Sequence, residues 1–149
     1  MHQVSLAPSS TMTFEEAAQI EAITIAYGNA FITFDADAAI QFFADDVAYE
    51  SQSVLYPLEG VEEVARFLRA RWAFFRENLE GVLNIALGKV DVPKGIGHPC
   101  LIVMRGNNAE GLVLLKLNNN TQIVRIDLCH VLPQPSDATP IARFPIGVN

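Results

Sequence analysis

Two segments, Cys100–Met104 (CLIVM) and Leu112–Leu117 (LVLLKL), are apolar at nearly every position, and they restrict the fold more than any other feature of the chain. Side chains of a strand alternate between two faces, so a strand that is apolar on both must be covered on both. β-rich runs are expected at about Val82–Val92, Pro99–Arg105, Gly111–Leu117 and Gln122–Leu132, with the turn sequences PKGIGH, GNNAE and NNNT between them. Connections this short join neighbouring strands antiparallel. Helices can cover one face of the resulting sheet. The remaining chain is too short to supply a further layer, so a partner subunit is expected on the other side, making a homodimer through the outer sheet face.

The helices come first in the chain. Thr13 and Glu16 fit a capping box, which predicts a helix over about Phe14–Phe34. Its apolar seam is Ile20, Ile23, Tyr27, Phe31 and Phe34, with Glu21, Thr24 and Gly28 off the seam. Asp35 or Asp37 can cap a short second helix through Phe43, and a strand follows at Val47–Ser51. The linker SVLYPLEG ends at Gly60, and a third helix is predicted over about Val61–Asn78. At about 100° per residue Val64, Leu68, Phe75 and Leu79 fall within roughly 60° of one another. Trp72 lies on their flank and Arg71 on the same face, while Glu62, Glu63, Arg66, Arg69, Arg76 and Glu77 form a solvated half. The last seventeen residues carry four of the eight prolines and read as an extended arm, anchored on a neighbouring surface by Ile141, Phe144 and Ile146. Residues 1–13 are thus expected as a flexible lead, 14–133 as a single α+β domain in which a curved sheet wraps a long helix, and 134–149 as the arm.

Length and charge exclude several classes. The 149 residues suit one domain. A formal charge of −7 argues against a protein that tracks nucleic-acid phosphates, which needs a concentrated cationic face. No stretch approaches the roughly 20 apolar residues of a membrane helix. The N-terminus lacks a cationic region followed by an apolar run, so no signal peptide is expected and a cytoplasmic location follows. Cys100 and Cys129 lie in apolar runs and read as buried free thiols. His2 and His98 supply no ligand spacing; neither a metal site nor a cofactor is expected.

The stretch YGNAFITFDADAAIQFFADDVAYES (27–51), followed by LEGVEEVARFL, resembles the front half of the nuclear-transport-factor-2-like superfamily, which includes ketosteroid isomerases and SnoaL-like polyketide cyclases. The resemblance covers most of residues 14–132, and its specific segments, FADDV and LEGVEEV, mark the fold rather than a reaction. It implies a cone with an apolar pocket between helices and sheet, often paired through the open sheet face. In ketosteroid isomerases a helix-one Tyr donates to the developing oxyanion, a carboxylate at the end of the first strand moves the proton, and a protonated Asp assists. Matched without gaps, Tyr27 takes the donor position and Ser51 the general-base position; the second Asp position falls near Val113. An alcohol cannot act as that base at neutral pH, so this mechanism is disfavoured here.

Among the residues themselves, Tyr27 sits on the buried face of helix one, where its hydroxyl needs a ligand or another polar group. Arg71 must reach a carboxylate, carbonyls or an anionic ligand, or else snorkel past Trp72 and Phe75; Asp127 and Glu50 are its possible internal partners. In the last strand Val124, Ile126, Leu128 and His130 share one face and Arg125, Asp127 and Cys129 the other. With the first set inward, His130 is an acid or base at a pocket mouth; with the second inward, Arg125 and Asp127 could activate a water, as in a hydrolase. Tyr49, Ser51, Trp72, Ile126 and Leu128 are expected to line the same cavity. Each of these residues also has an ordinary packing role open to it. Two readings follow. One is a small-molecule binder or a cofactor-independent isomerase, lyase or hydrolase acting on a cyclic or isoprenoid-like compound. The other is a noncatalytic interaction domain whose cone is filled by its own side chains.

Overall fold

The capping box forms as its residues predict: Glu16 N donates to Thr13 Oγ1 at 3.0 Å and Thr13 N to Glu16 Oε1 at 2.9 Å, opening α1 at Phe14–Ile32. The computed structural model describes residues 12–52, 56–91, 97–131 and 133–147; most of the predicted lead, part of the linker after β1 and most of PKGIGH lie outside them. Asp35 caps the short α2 (Ala36–Ile40), and β1 (Phe43–Ser51) begins four residues earlier than its pattern suggests. β2 (Leu58–Glu59) leads through Gly60, at φ 91°, into α3 (Val61–Asn78), whose bounds match the expected ones. Then come β3 (Leu83–Val90), β4 (His98–Arg105), β5 (Asn108–Leu117) and β6 (Ile123–Cys129), a 3-10 turn at Pro135–Asp137, and β7 (Thr139–Arg143). No helix among the described residues is long and apolar enough to cross a membrane.

The strands form one mixed, curved sheet in the order β2-β1-β6-β5-β4-β3-β7. β3 to β6 are the expected antiparallel meander, whereas β1 joins β6 in parallel, with Tyr49 opposite Ile126 and Ser51 opposite Leu128. Register shifts interrupt four of the pairings, and such bulges sharpen twist and curvature.

The face turned toward the helices carries Ile85, Leu87, Leu101, Val113, Leu115, Ile123 and Ile126, packed with Tyr27, Phe31 and Phe34 of the α1 region and Leu68 and Trp72 of α3. The seams of both helices are rotated from their sequence-predicted positions. On α1, Thr24 and Gly28 are fully buried while Ile20 and Ile23 are half-exposed. Gly28 is buried because Phe144 fills its flank: a Cβ there would lie 2.3 Å from the Phe144 ring and 2.9 Å from Leu101. On α3 the buried set is Val64, Ala65, Leu68 and Trp72, so Trp72 is central and Arg71 lies at the edge of the stripe, exposed. The small Ala65, weightless in a seam drawn through large residues, marks the side toward which the buried stripe is turned. Arg69 and Arg76 belong to more than a solvated face. Arg69 Nε reaches Asp37 at 2.9 Å, and Arg76 donates to the Thr33 and Phe34 carbonyls at 3.1 and 2.8 Å, satisfying the end of α1.

The outer face holds Val90, Cys100, Ile102, Leu112, Leu114 and Cys129, all 5% exposed or less. Ala138 belongs to this cluster, because the proline-rich segment crosses the outer face from β6 to the opposite edge. There β7 pairs antiparallel with β3. Pro140 is tolerated since β7 is an edge strand. Phe144 then turns into the inner core, and Asn29 of α1 exchanges two 2.8 Å hydrogen bonds with the Ile146 backbone. Of the three expected anchors Phe144 is buried and Ile146 half-buried, but Ile141 is exposed. The surface that receives the arm is the chain's own sheet. The need for a partner subunit therefore loses its premise, since the outer apolar residues are covered within one chain. Both cysteines are free and buried, and burial pushes each thiol up to about 12.

Candidate functional site

Tyr27 projects from α1 into an aromatic cluster. Its ring meets Trp72 edge-on at 5.6 Å, and Phe31 stacks on Trp72 at 4.9 Å. Its hydroxyl has no hydrogen-bond partner among the described residues. One turn away, Thr24 Oγ1 is buried and equally unpartnered. Sequence reasoning missed Thr24 by placing it off the seam, whereas the helix buries it completely. Leaving a buried hydroxyl unpaired costs on the order of 1–3 kcal/mol, so this wall has unmet hydrogen-bonding capacity.

Tyr49 enters from β1, its ring 5.0 Å from Phe67 of α3. Burial raises its phenol to about 12 against the opposing pull of the Arg71 charge. Burial, and then the neighbouring Tyr49, raise Tyr27 well above the ordinary tyrosine value. Both phenols are therefore protonated at neutral pH. They can donate to a carbonyl or to a developing oxyanion, and neither can serve as a base.

Ile126 and Leu128 face the inner cluster, which settles the orientation of β6. Ser51 is buried opposite Leu128. His130, just past the strand, is exposed; it is seated over Gly111, where an added Cβ would come within 3.5 Å of the imidazole. Its Nδ1 lies 3.0 Å from the Glu110 carbonyl, an acceptor, so Nδ1 carries the proton and Nε2 keeps its lone pair in the neutral ring. Gln52 Oε1 accepts from both His130 N and Val131 N at 2.7 Å and pins this turn to the end of β1. His130 lies four residues beyond Ile126, roughly 13 Å along the strand from the Tyr49 level. Tyr27, Tyr49 and Trp72 are thus brought together, with His130 at a distance from them along the same face.

Arg125 and Asp127 do not enter the interior, so the hydrolase alternative loses its residues. They lie on the outer face, where Arg125 bonds Glu50 and, at 3.0 Å, Asp127. Asp127 Oδ1 is within 3.0 Å of the guanidinium as an ion-pair contact without hydrogen-bond alignment. Burial raises the Asp127 carboxyl despite the Arg125 charge. Glu50 and Asp127 are consequently not the partners of Arg71. That guanidinium lies 5.5 Å over the Phe67 ring and 5.8 Å over Phe75, exposed at the surface of α3. A separate open groove of about 720 Å³ runs between α2 and α3, lined by Ile40, Val61, Ala65 and Ala70 with Glu62, Arg66 and Arg69 at its rim; none of the sequence-predicted site residues borders it.

A curved sheet wrapping a long helix, with α3 packed on β1 and the aromatic cluster between, decides the fold. The fold is nuclear-transport-factor-2-like. A SnoaL-like protein of unknown function from Burkholderia thailandensis superposes with a TM-score of 0.56 at 13% identity, covering 76% of this chain and 96% of the other. A provisionally named ketosteroid isomerase from Kribbella flavida gives 0.53 at 17% identity over 76% and 78% of the two chains. A de novo designed protein with a curved β-sheet gives 0.54 at 20% identity over 80% and 88%. No protein-family model and no curated protein matches the sequence. These likenesses establish the nuclear-transport-factor-2-like fold and leave the reaction to the residues.

Proposed function

We propose that this protein binds an elongated, largely apolar small molecule along the inner sheet face, as a SnoaL-like isomerase, dehydratase or cyclase. The observation that carries the reading is Tyr27, a buried and protonated residue whose hydroxyl makes no hydrogen bond among the described residues and whose ring is set in an aromatic wall beside Tyr49. Such a donor fits a ligand carbonyl or enolate oxygen. Trp72, Ile126 and Leu128 offer apolar contact, and Ser51 lies at the end of the same wall. His130 Nε2 is the base: it takes a proton from the far end of a conjugated ligand, the electron pair passes along the π system to the oxygen held by Tyr27, and the imidazolium returns the proton to another carbon of that system. The separation of roughly 13 Å along the strand suits a fused-ring or isoprenoid-like length rather than a compact metabolite. No carboxylate base is needed, in keeping with Ser51 at the position ketosteroid isomerases use for one.

Native mass spectrometry of freshly purified protein tests the binding step. A retained small molecule is expected, with retention reduced in Tyr27→Phe. In His130→Ala the molecule is retained but is no longer converted. Absence of any retained mass, together with an unchanged Trp72 fluorescence on titration with apolar ring compounds, rejects the reading in favour of a noncatalytic domain.

A further inference from the structure

Several arginines of the described residues are committed. Arg69 pairs with Asp37, Arg105 with Glu110, and Arg125 with Glu50 and Asp127, while Arg76 caps the carbonyls at the end of α1. Arg71 has neither a carboxylate nor a carbonyl partner among the described residues. It is nonetheless held in place. Phe67 and Phe75 lie one helical turn before and after it, and its guanidinium rests over both rings. Rings at 5.5 and 5.8 Å offer the guanidinium no hydrogen-bond acceptor in their plane, so its N–H fork is left for another group, and that fork matches a carboxylate in two parallel hydrogen bonds.

The position of this cation matters as much as its freedom. Phe67, which supports it, also packs on Tyr49, and Trp72 is its immediate chain neighbour. Tyr49 feels the charge of Arg71 on one side and stands beside Tyr27 on the other. From the interior outward the polar groups therefore run Tyr27, Tyr49, Arg71, with aromatic rings between them. An anion at the outer end of this series is offset by a full positive charge, while the phenols offer only neutral donors.

We propose that the ligand of this site is an apolar carboxylic acid, its carboxylate taken by Arg71 on the Phe67–Phe75 ledge while its hydrocarbon body lies against Tyr49 and Trp72. This rests on the inner-face reading above and adds the class of the ligand. The acid group marks one end of the molecule and the chemistry at His130 the other.

The test uses the sole tryptophan of the chain, Trp72, as reporter. The probes are 4-cyclohexylbutanoate and its neutral analogue 4-cyclohexylbutanamide, which do not absorb where tryptophan does. The native protein is expected to bind the acid about fivefold tighter than the amide, the modest preference appropriate to an exposed charge. Arg71→Met keeps the aliphatic packing and should reduce acid binding to the level of the amide, with amide binding unchanged. Arg71→Lys should restore part of the preference, and raising NaCl to about 0.5 M should shrink it in the native protein. Equal binding of acid and amide by the native protein overturns the proposal and leaves the inner-face site standing. So does an acid preference that survives in Arg71→Met. If neither probe perturbs Trp72, both the proposal and the inner-face reading fall.

Discussion

The two faces of the sheet are both apolar, yet they are closed by different means. The inner face is covered by α1 and α3, which bring aromatic rings and the hydroxyls of Thr24 and Tyr27. The outer face is crossed by the proline-rich segment, which brings Ala138 and little else of bulk. Buried polar atoms also differ between them. On the outer face Arg125, Glu50 and Asp127 form an ion-pair cluster, yet Asp127 Oδ1 and Asn84 Oδ1 lack an aligned hydrogen bond. The contrast teaches that a strand apolar on both faces demands cover without saying whose, and that the faces differ in what they leave unpaired: a hydroxyl on the helix side, acceptor oxygens of Asn84 and Asp127 on the outer side.

The largest break in this comparison is Phe144→Ala, which removes the side chain by which the arm reaches the inner core. A loss of about 3–5 kcal/mol is expected in urea unfolding. Next comes Arg125→Met, which strands the largely buried Asp127 and should cost about 2 kcal/mol at neutral pH. Its pH dependence sharpens the point. The folded Asp127 carboxyl titrates above its unfolded value, so its contribution is most favourable below the unfolded value and is lost as pH rises through the folded one. Without Arg125 that folded value climbs further. The deficit of the variant relative to the native protein is therefore expected to shrink in acid, measured as the difference in urea midpoints across pH.

Gly28→Ala follows, at about 1–3 kcal/mol, because its Cβ would meet the Phe144 ring. Combined with Phe144→Leu it should cost less than the sum of the two single changes, and an additive result would show that the arm does not press on α1. The smallest effects belong to the inner hydroxyls. Thr24→Val and Tyr27→Phe each remove an atom with no protein partner, so stability should stay within about 1 kcal/mol of native or rise. A larger loss for Tyr27→Phe in thermal unfolding would mean that its hydroxyl is already engaged.

Much of this arrangement is legible in the sequence. The capping box, the bounds of α3 and the antiparallel meander follow from local chemistry: a Thr and Glu three apart, a Gly before a charged amphipathic run, and turn residues between β-branched segments. Three things were not legible. The parallel pairing of β1 with β6 joins segments some seventy residues apart, with nothing local to announce it. The prolines hid β7, because their lack of an N–H argues against a strand everywhere except at an edge. The rotation of α1 and α3 depended on what packed beside small residues, Gly28 and Ala65, to which a hydrophobic pattern assigns no weight. That rotation moved Arg71 to the surface and Thr24 inside, and with them the polar half of the candidate site.

The arm also governs how the sheet meets other chains. With the arm undocked, β3 presents a bare edge and the outer face loses its cover. Such an edge is a template for pairing with other chains. Docking of the segment from Ala138 to Phe144 therefore seals a sheet edge and an outer face together, and a variant whose arm fails to dock is the form of this protein most exposed to aggregation.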